Sequence, residues 1–180
     1  MPAKLLCILF MLLTDHELAA QKADSLVIVI TTRYRQLKAR LPQCDSQVRN
    51  LNSQIPDSGW VVGYFKSDSL QLLRTTTLAG KEKTNLEFYF DRDQLIYVLE
   101  QHVFQEQAPR MRLRKSPFHR KTPIQDSIVL VLKENRYCFH NNQLIEWLNP
   151  SHQLVDLEAG TNLQVGQGLQ AHAAKLRALF

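Results

Sequence analysis

LEFYFDRDQLIYV (residues 86–98) superposes without a gap on VVGYFKSDSLQLL (61–73) and on NRYCFHNNQLIEW (135–147). Each segment carries a phenylalanine (Phe65, Phe90, Phe139), then four polar residues of turn type, then a leucine (Leu70, Leu95, Leu144). Aromatic and β-branched residues suit a pleated, half-buried surface, whereas Asp, Asn and Ser suit tight turns. The pattern therefore reads as strand, turn, strand, three times over. A constant Phe-to-Leu offset puts both side chains of each hairpin on one face, so three hairpins can build one apolar sheet face. Gapless self-similarity of this kind marks a repeated supersecondary unit.

Outward from the repeats, two segments read as helices. From Asp24, residues Leu26, Ile30, Tyr34, Leu37 and Leu41 recur at helical spacing until Pro42, with Asp24 or Ser25 able to cap the start. The β-branched run Val27-Ile28-Val29-Ile30 opposes this in the first turns. Between Leu163 and Phe180, residues Leu169, Ala173, Leu176 and Phe180 form a second stripe, although Gly166 and Gly168 weaken its beginning. Residues 43–58 are polar, and Pro56-Asp57-Ser58-Gly59 reads as a turn. Ile128 to Leu132 reads as a short strand. The expected class is α+β: an N-terminal helix, an antiparallel sheet of three repeated hairpins, and a C-terminal helix packed on one face.

The three segments, with the helix before them, resemble a group of small exported bacterial proteins of unknown function. The pattern of that group is a Tyr-Tyr/Phe-Phe strand, an Asp/Asn-Gly turn, then Leu and an apolar strand. The matching stretches here are YFKSDSLQLL, YFDRDQLIYVL and RYCFHNNQLIEWL, each without the turn glycine. The resemblance implies an architecture and a compartment, and no reaction.

Residues 1–20 agree with that compartment. Lys4 precedes the nine-residue apolar run LLCILFMLL (5–13), and small residues follow at Ala19-Ala20. This is the order of a secretory signal peptide, and the run is too short to span a bilayer. Residues 21–180 are then one domain, a periplasmic or secreted protein with a basic loop inserted at about 108–123. Cleavage after Ala20 removes Lys4, Asp15, Glu17 and Cys7, leaving Cys44 and Cys138. Two cysteines in an exported chain are what one disulfide would leave, and equally what two buried thiols would leave.

Composition bounds the function. The chain has 180 residues, 44% of them apolar, and a formal net charge of +5. That is enough apolar residue for a core, and too mild a charge to point to nucleic acid. There is no Gly-x-Ser-x-Gly elbow, no His-Glu-x-x-His helix and no phosphate-cradling glycine loop, so no enzyme class and no cofactor is expected. Cys138 and His140 stand two apart without a second ligand pair, so no metal site is expected either. One segment stands out chemically: APRMRLRKSPFHRKTP (108–123) holds Arg110, Arg112, Arg114, Lys115, Arg120 and Lys121 between three prolines. Its forked guanidinium donors suit phosphate, sulfate or carboxylate, while a solvated loop explains the same charges. The expected role is non-catalytic binding, to an envelope protein or an anionic surface. The alternatives are a hydrolase-like enzyme with an unrecognised site, or an inhibitor or envelope accessory that caps another protein.

Overall fold

The computed structural model of the chain describes residues 24–51, 59–80, 82–107 and 128–180. The expected signal peptide and the whole basic segment 108–123 lie outside these residues.

Among these residues the order of elements is a helix over residues 24–40 (α1), a 3-10 turn at Leu41–Gln43, seven strands and a final helix. The strands are β1 (Asp45–Asn50), β2 (Gly59–Lys66), β3 (Ser69–Ala79), β4 (Glu82–Asp91), β5 (Gln94–Gln107), β6 (Ile128–His140) and β7 (Gln143–Leu148). The helix α2 spans Asn162–Arg177. All seven strands form one antiparallel sheet in sequence order, so every connection is between neighbours.

The three repeated segments are one hairpin built three times. Lys66 pairs with Ser69, Asp91 with Gln94, and His140 with Gln143, each closing a two-residue turn. Both residues of every turn have positive φ: Ser67 and Asp68 (49° and 64°), Arg92 and Asp93 (49° and 65°), Asn141 and Asn142 (49° and 60°). That is the backbone of a type I′ turn, whose twist matches that of the flanking strands. One step in, Phe65 faces Leu70, Phe90 faces Leu95 and Phe139 faces Leu144. One step further, the register shifts so that Tyr64 faces Leu72, Tyr89 faces Tyr97 and Cys138 faces Glu146. The bulge therefore inserts Gln71, Ile96 and Ile145 at the same place in all three, and a bulge sharpens the local twist.

The bulge divides the repeat between two faces. The Phe and Leu rows lie in one cluster with Val61, Leu73, Phe88, Val98 and Tyr137, closed by Ala173, Leu176, Leu169 and Phe180 of the C-terminal segment. The row Leu72, Tyr89, Tyr97 and Cys138 lies in the other, closed by Ile30 and Leu37 of α1, with Tyr34 and Leu41 packed against it. The helices thus cover opposite faces, making three layers with the sheet between. The β-branched run Val27–Ile30 is helical because Ile30 and Val27 pack on the sheet while Ile28 and Val29 face solvent. Two glycines permit close approach. A Cβ at Gly166 would lie 2.7 Å from Leu144 Cβ, and one at Gly63 would lie 2.8 Å from the Phe65 ring.

β1 was not expected. Its sequence, DSQVRN, has no apolar alternation, and all six residues are exposed on the sheet edge. Pairing with β2 alone makes it a strand.

Candidate functional site

The two cysteines do not meet. Cys44 ends the 3-10 turn before edge strand β1, whereas Cys138 is buried in β6, five strand spacings of about 4.8 Å each away. Both thiols are free. Cys44 Sγ donates to the Arg40 carbonyl at 3.6 Å, and Cys138 Sγ contacts Glu146 Oε1 at 3.8 Å. Of the two readings of this pair, the structure holds unbridged thiols. Burial first, then the charge of Glu146, pushes the Cys138 thiol up to about 12, so it is a poor nucleophile. His140 bonds its neighbour Asn141 rather than joining Cys138, and no three His, Cys, Asp or Glu among the described residues form a metal-holding group. The chain leaves β5 at Gln107 and re-enters β6 at the paired Ile128, and the six cationic residues of 110–121 lie outside the described residues.

Two polar networks span the strands. On the α1 face, Glu87 accepts from Tyr89 Oη at 2.6 Å and from Arg74 Nε at 2.8 Å, while Arg74 also donates to Tyr64 Oη at 3.2 Å. Tyr34 of α1 stacks on Tyr97 with ring centres 4.1 Å apart and meets Tyr89 edge-on at 4.8 Å. Lys38 donates to Tyr34 Oη at 3.1 Å. Burial, followed by the charge of Glu87, raises the Tyr89 phenol, which stays protonated and donating.

The second network lies on the α2 face beyond the end of the helix. His102 bonds Glu82 Oε1 through Nδ1 at 2.8 Å and Glu100 Oε1 through Nε2 at 3.1 Å. Glu100 Oε2 accepts from Tyr137 Oη at 2.7 Å and from Asn135 Nδ2 at 3.0 Å, and Trp147 Nε1 donates to Asn135 at 3.2 Å. Burial works to lower the His102 pKa, but the hydrogen bonds and charges of Glu82 and Glu100 outweigh it and raise it. With both ring nitrogens held by carboxylates, His102 is a tie between β4 and β5 rather than a poised base.

Two concavities among the described residues lie apart from these networks. One, of about 310 Å³, is lined by Phe90, Asp93, Asn142, Gln170, Ala173 and Arg177, and an adjoining one of about 470 Å³ by Gln143, Leu163, Gly166 and Gln167. Both follow α2 beneath the second and third turns. The Arg177–Asp93 pair at 2.6 Å and the Gln170 bond to the Asn142 carbonyl cross them. The amides are suited to hydrogen bonding, and no nucleophile–base pair stands among these residues.

Among the described residues, the apolar cluster under α1 extends along the sheet only as far as Leu99. Beyond it on the α1 face, two cross-strand rows follow from the register. The first is Trp60, Thr76, Asn85, Gln101 and Glu134, and the second Leu78, Lys83, Val103 and Leu132. Trp60, Leu78 and Leu132 are 42%, 45% and 57% exposed, and Val48 on β1 is 57% exposed. The polar members pair with one another: Thr76 donates to Asn85 at 3.0 Å and Gln101 to Glu134 at 2.9 Å. Sequence reading missed this surface and the His102 network. Their signal, the unbroken polar runs Glu82–Asn85 on β4 and Glu100–His102 on β5, lies outside the repeated segment 86–98. Among the described residues, no helix is long and apolar enough to cross a membrane. Compared with protein families, curated proteins and solved structures, the chain matches none.

Proposed function

We propose that the chain is exported, loses residues 1–20, and works as a non-catalytic binding module in the periplasm or outside the cell. Its contact surface is the part of the sheet on the α1 face beyond Leu99, outside the apolar cluster under that helix. The observation that carries this reading is the solvent-facing set Trp60, Leu78 and Leu132 on a rigid, hydrogen-bonded lattice. Exposed apolar groups rimmed by polar ones are characteristic of protein contact sites, and tryptophan contributes strongly to such contacts. The chemistry of the other described groups favours binding over catalysis: His102 is held at both nitrogens, and Cys138 is buried and protonated. The basic segment 108–123, between Gln107 and Ile128 in the sequence, would add attraction for an acidic protein face or an anionic envelope surface.

Affinity capture from envelope extracts tests the reading. The wild-type protein is compared with Trp60→Lys/Leu132→Lys, and with Gln167→Ala/Gln170→Ala in the groove along α2. Loss of the captured partner with the first variant and retention with the second is the expected result. The reverse pattern would move the site to the groove and favour the hydrolase-like alternative.

A further inference from the structure

Among the described residues, strand β1 pairs only with β2 and leaves its other edge open, and the hydrogen-bond pattern fixes which of its groups point outward. Leu51 N donates to Gly59 O at 3.1 Å, and bonding alternates along an antiparallel ladder. Arg49, Gln47 and Asp45 therefore bond β2, while Ser46, Val48 and Asn50 direct their N–H and C=O groups outward. The Val48 carbonyl confirms this, because it accepts from Arg49 Nη1 at 3.1 Å, outside the sheet. The opposite edge differs: β7 is bridged between Leu148 and Leu154, and Val155 N donates to Trp147 O at 2.9 Å. One edge is thus partly occupied and the other open, so sheet extension through β1 closes at two copies instead of continuing as a fibre.

We propose that two copies of this chain pair antiparallel through β1, about a two-fold axis at Gln47, joining their sheets into one. This goes beyond the binding reading and does not depend on it. Charge selects the register. Centring on Gln47 places Ser46 opposite the partner's Val48 in a hydrogen-bonded pair, and Asp45 opposite the partner's Arg49 in the closer, non-hydrogen-bonded pair. The Asp45–Arg49 pair forms twice by symmetry. Centring one residue on, at Val48, leaves Asp45 opposite Leu51 and Arg49 opposite Gln47, with no charge pair. In a single copy Arg49 folds back onto Val48 and Gln47 Oε1, at 3.1 and 3.2 Å. Pairing returns the Val48 carbonyl to a main-chain donor and gives Arg49 a carboxylate. It also brings Val48 beside its symmetry mate, diagonal to Trp60, on the face where both are exposed.

Sedimentation equilibrium on protein purified from cells expressing the full chain tests this. The wild type should have twice the monomer mass. Arg49→Asp should weaken association by about tenfold or more, because two attractions become repulsions. The double reversal Asp45→Arg/Arg49→Asp should restore it. Ser46→Pro removes only an outward N–H and should give a folded monomer with unchanged circular dichroism. A monomeric wild type, a dimer indifferent to Arg49→Asp or Ser46→Pro, or a double reversal that restores nothing would each overturn the proposal. Each readout is oligomeric state, so failure here leaves the capture experiment standing.

Discussion

Six non-glycine residues hold positive φ in three identical turns, and replacing the second turn residue by glycine should measure what that geometry costs. A left-handed conformation costs an L-residue about 1–2 kcal/mol, with Asp and Asn at the low end. Glycine removes that cost, but it loses about 0.4–1 kcal/mol more backbone entropy on folding. Asp68 is exposed with φ 64°, so Asp68→Gly should stabilise by about 0.5 kcal/mol. Asp93 differs because it is paired with Arg177 at 2.6 Å. An exposed pair is worth about 0–1 kcal/mol, which offsets the gain and leaves Asp93→Gly near neutral. Asn142 tolerates the left-handed region best, so Asn142→Gly should fall between the two. A β-branched residue reverses the sign: Asp68→Val should destabilise by at least 1 kcal/mol. Urea unfolding at constant slope reads these differences directly. A destabilising Asp68→Gly, or a neutral Asp68→Val, would refute the reading of the hairpins as type I′ turns.

Four further outcomes follow from single observations. Gly166→Ala should destabilise although alanine favours helices by about 1 kcal/mol, because its Cβ would lie 2.7 Å from Leu144 Cβ; urea unfolding checks it. The His102 pKa is raised in the fold, so the stability it contributes is complete below its unfolded pKa of about 6.5 and is lost as pH rises through the folded value. Thermal midpoints of wild type and His102→Gln should therefore converge with rising pH, and a parallel offset would contradict it. In the native protein, alkylation should label Cys44 well before Cys138, whose thiol is buried and pushed up to about 12; equal labelling would place Cys138 elsewhere. Replacing Arg110, Arg112, Arg114 and Lys115 by Ser should lower the salt needed for elution from a polyanion column, and unchanged retention would leave the segment a solvated loop.

The hairpins were legible because their signal is local. Turn residues, an aromatic before them and a leucine after them lie within one short window, and the bulge preserves that offset in every copy. The helix α1 was legible from Ile30, Tyr34 and Leu37, because burial on the sheet outweighs the strand preference of Val27 to Ile30. The strand β1 was not, since an edge strand exposed on every residue has no apolar period to read. The sequence did not say which face each helix covers, because that depends on a one-residue bulge between Tyr64 and Phe65 and its two copies. The networks were hidden for a related reason. Glu82, His102, Glu100 and Tyr137 come from three strands, and only the pairing register brings them together.

One hairpin repeated three times organises the fold, with its phenylalanines under α2 and the preceding residues under α1. Nuclear Overhauser contacts in the assigned protein test this most directly. Cross-strand main-chain contacts should join Tyr64 to Leu72, Tyr89 to Tyr97 and Cys138 to Glu146. The Tyr89 and Tyr97 rings should contact Tyr34, while Phe65 should contact Phe180. A different register in any one hairpin, or Phe65 and Tyr89 touching the same helix, would contradict this arrangement.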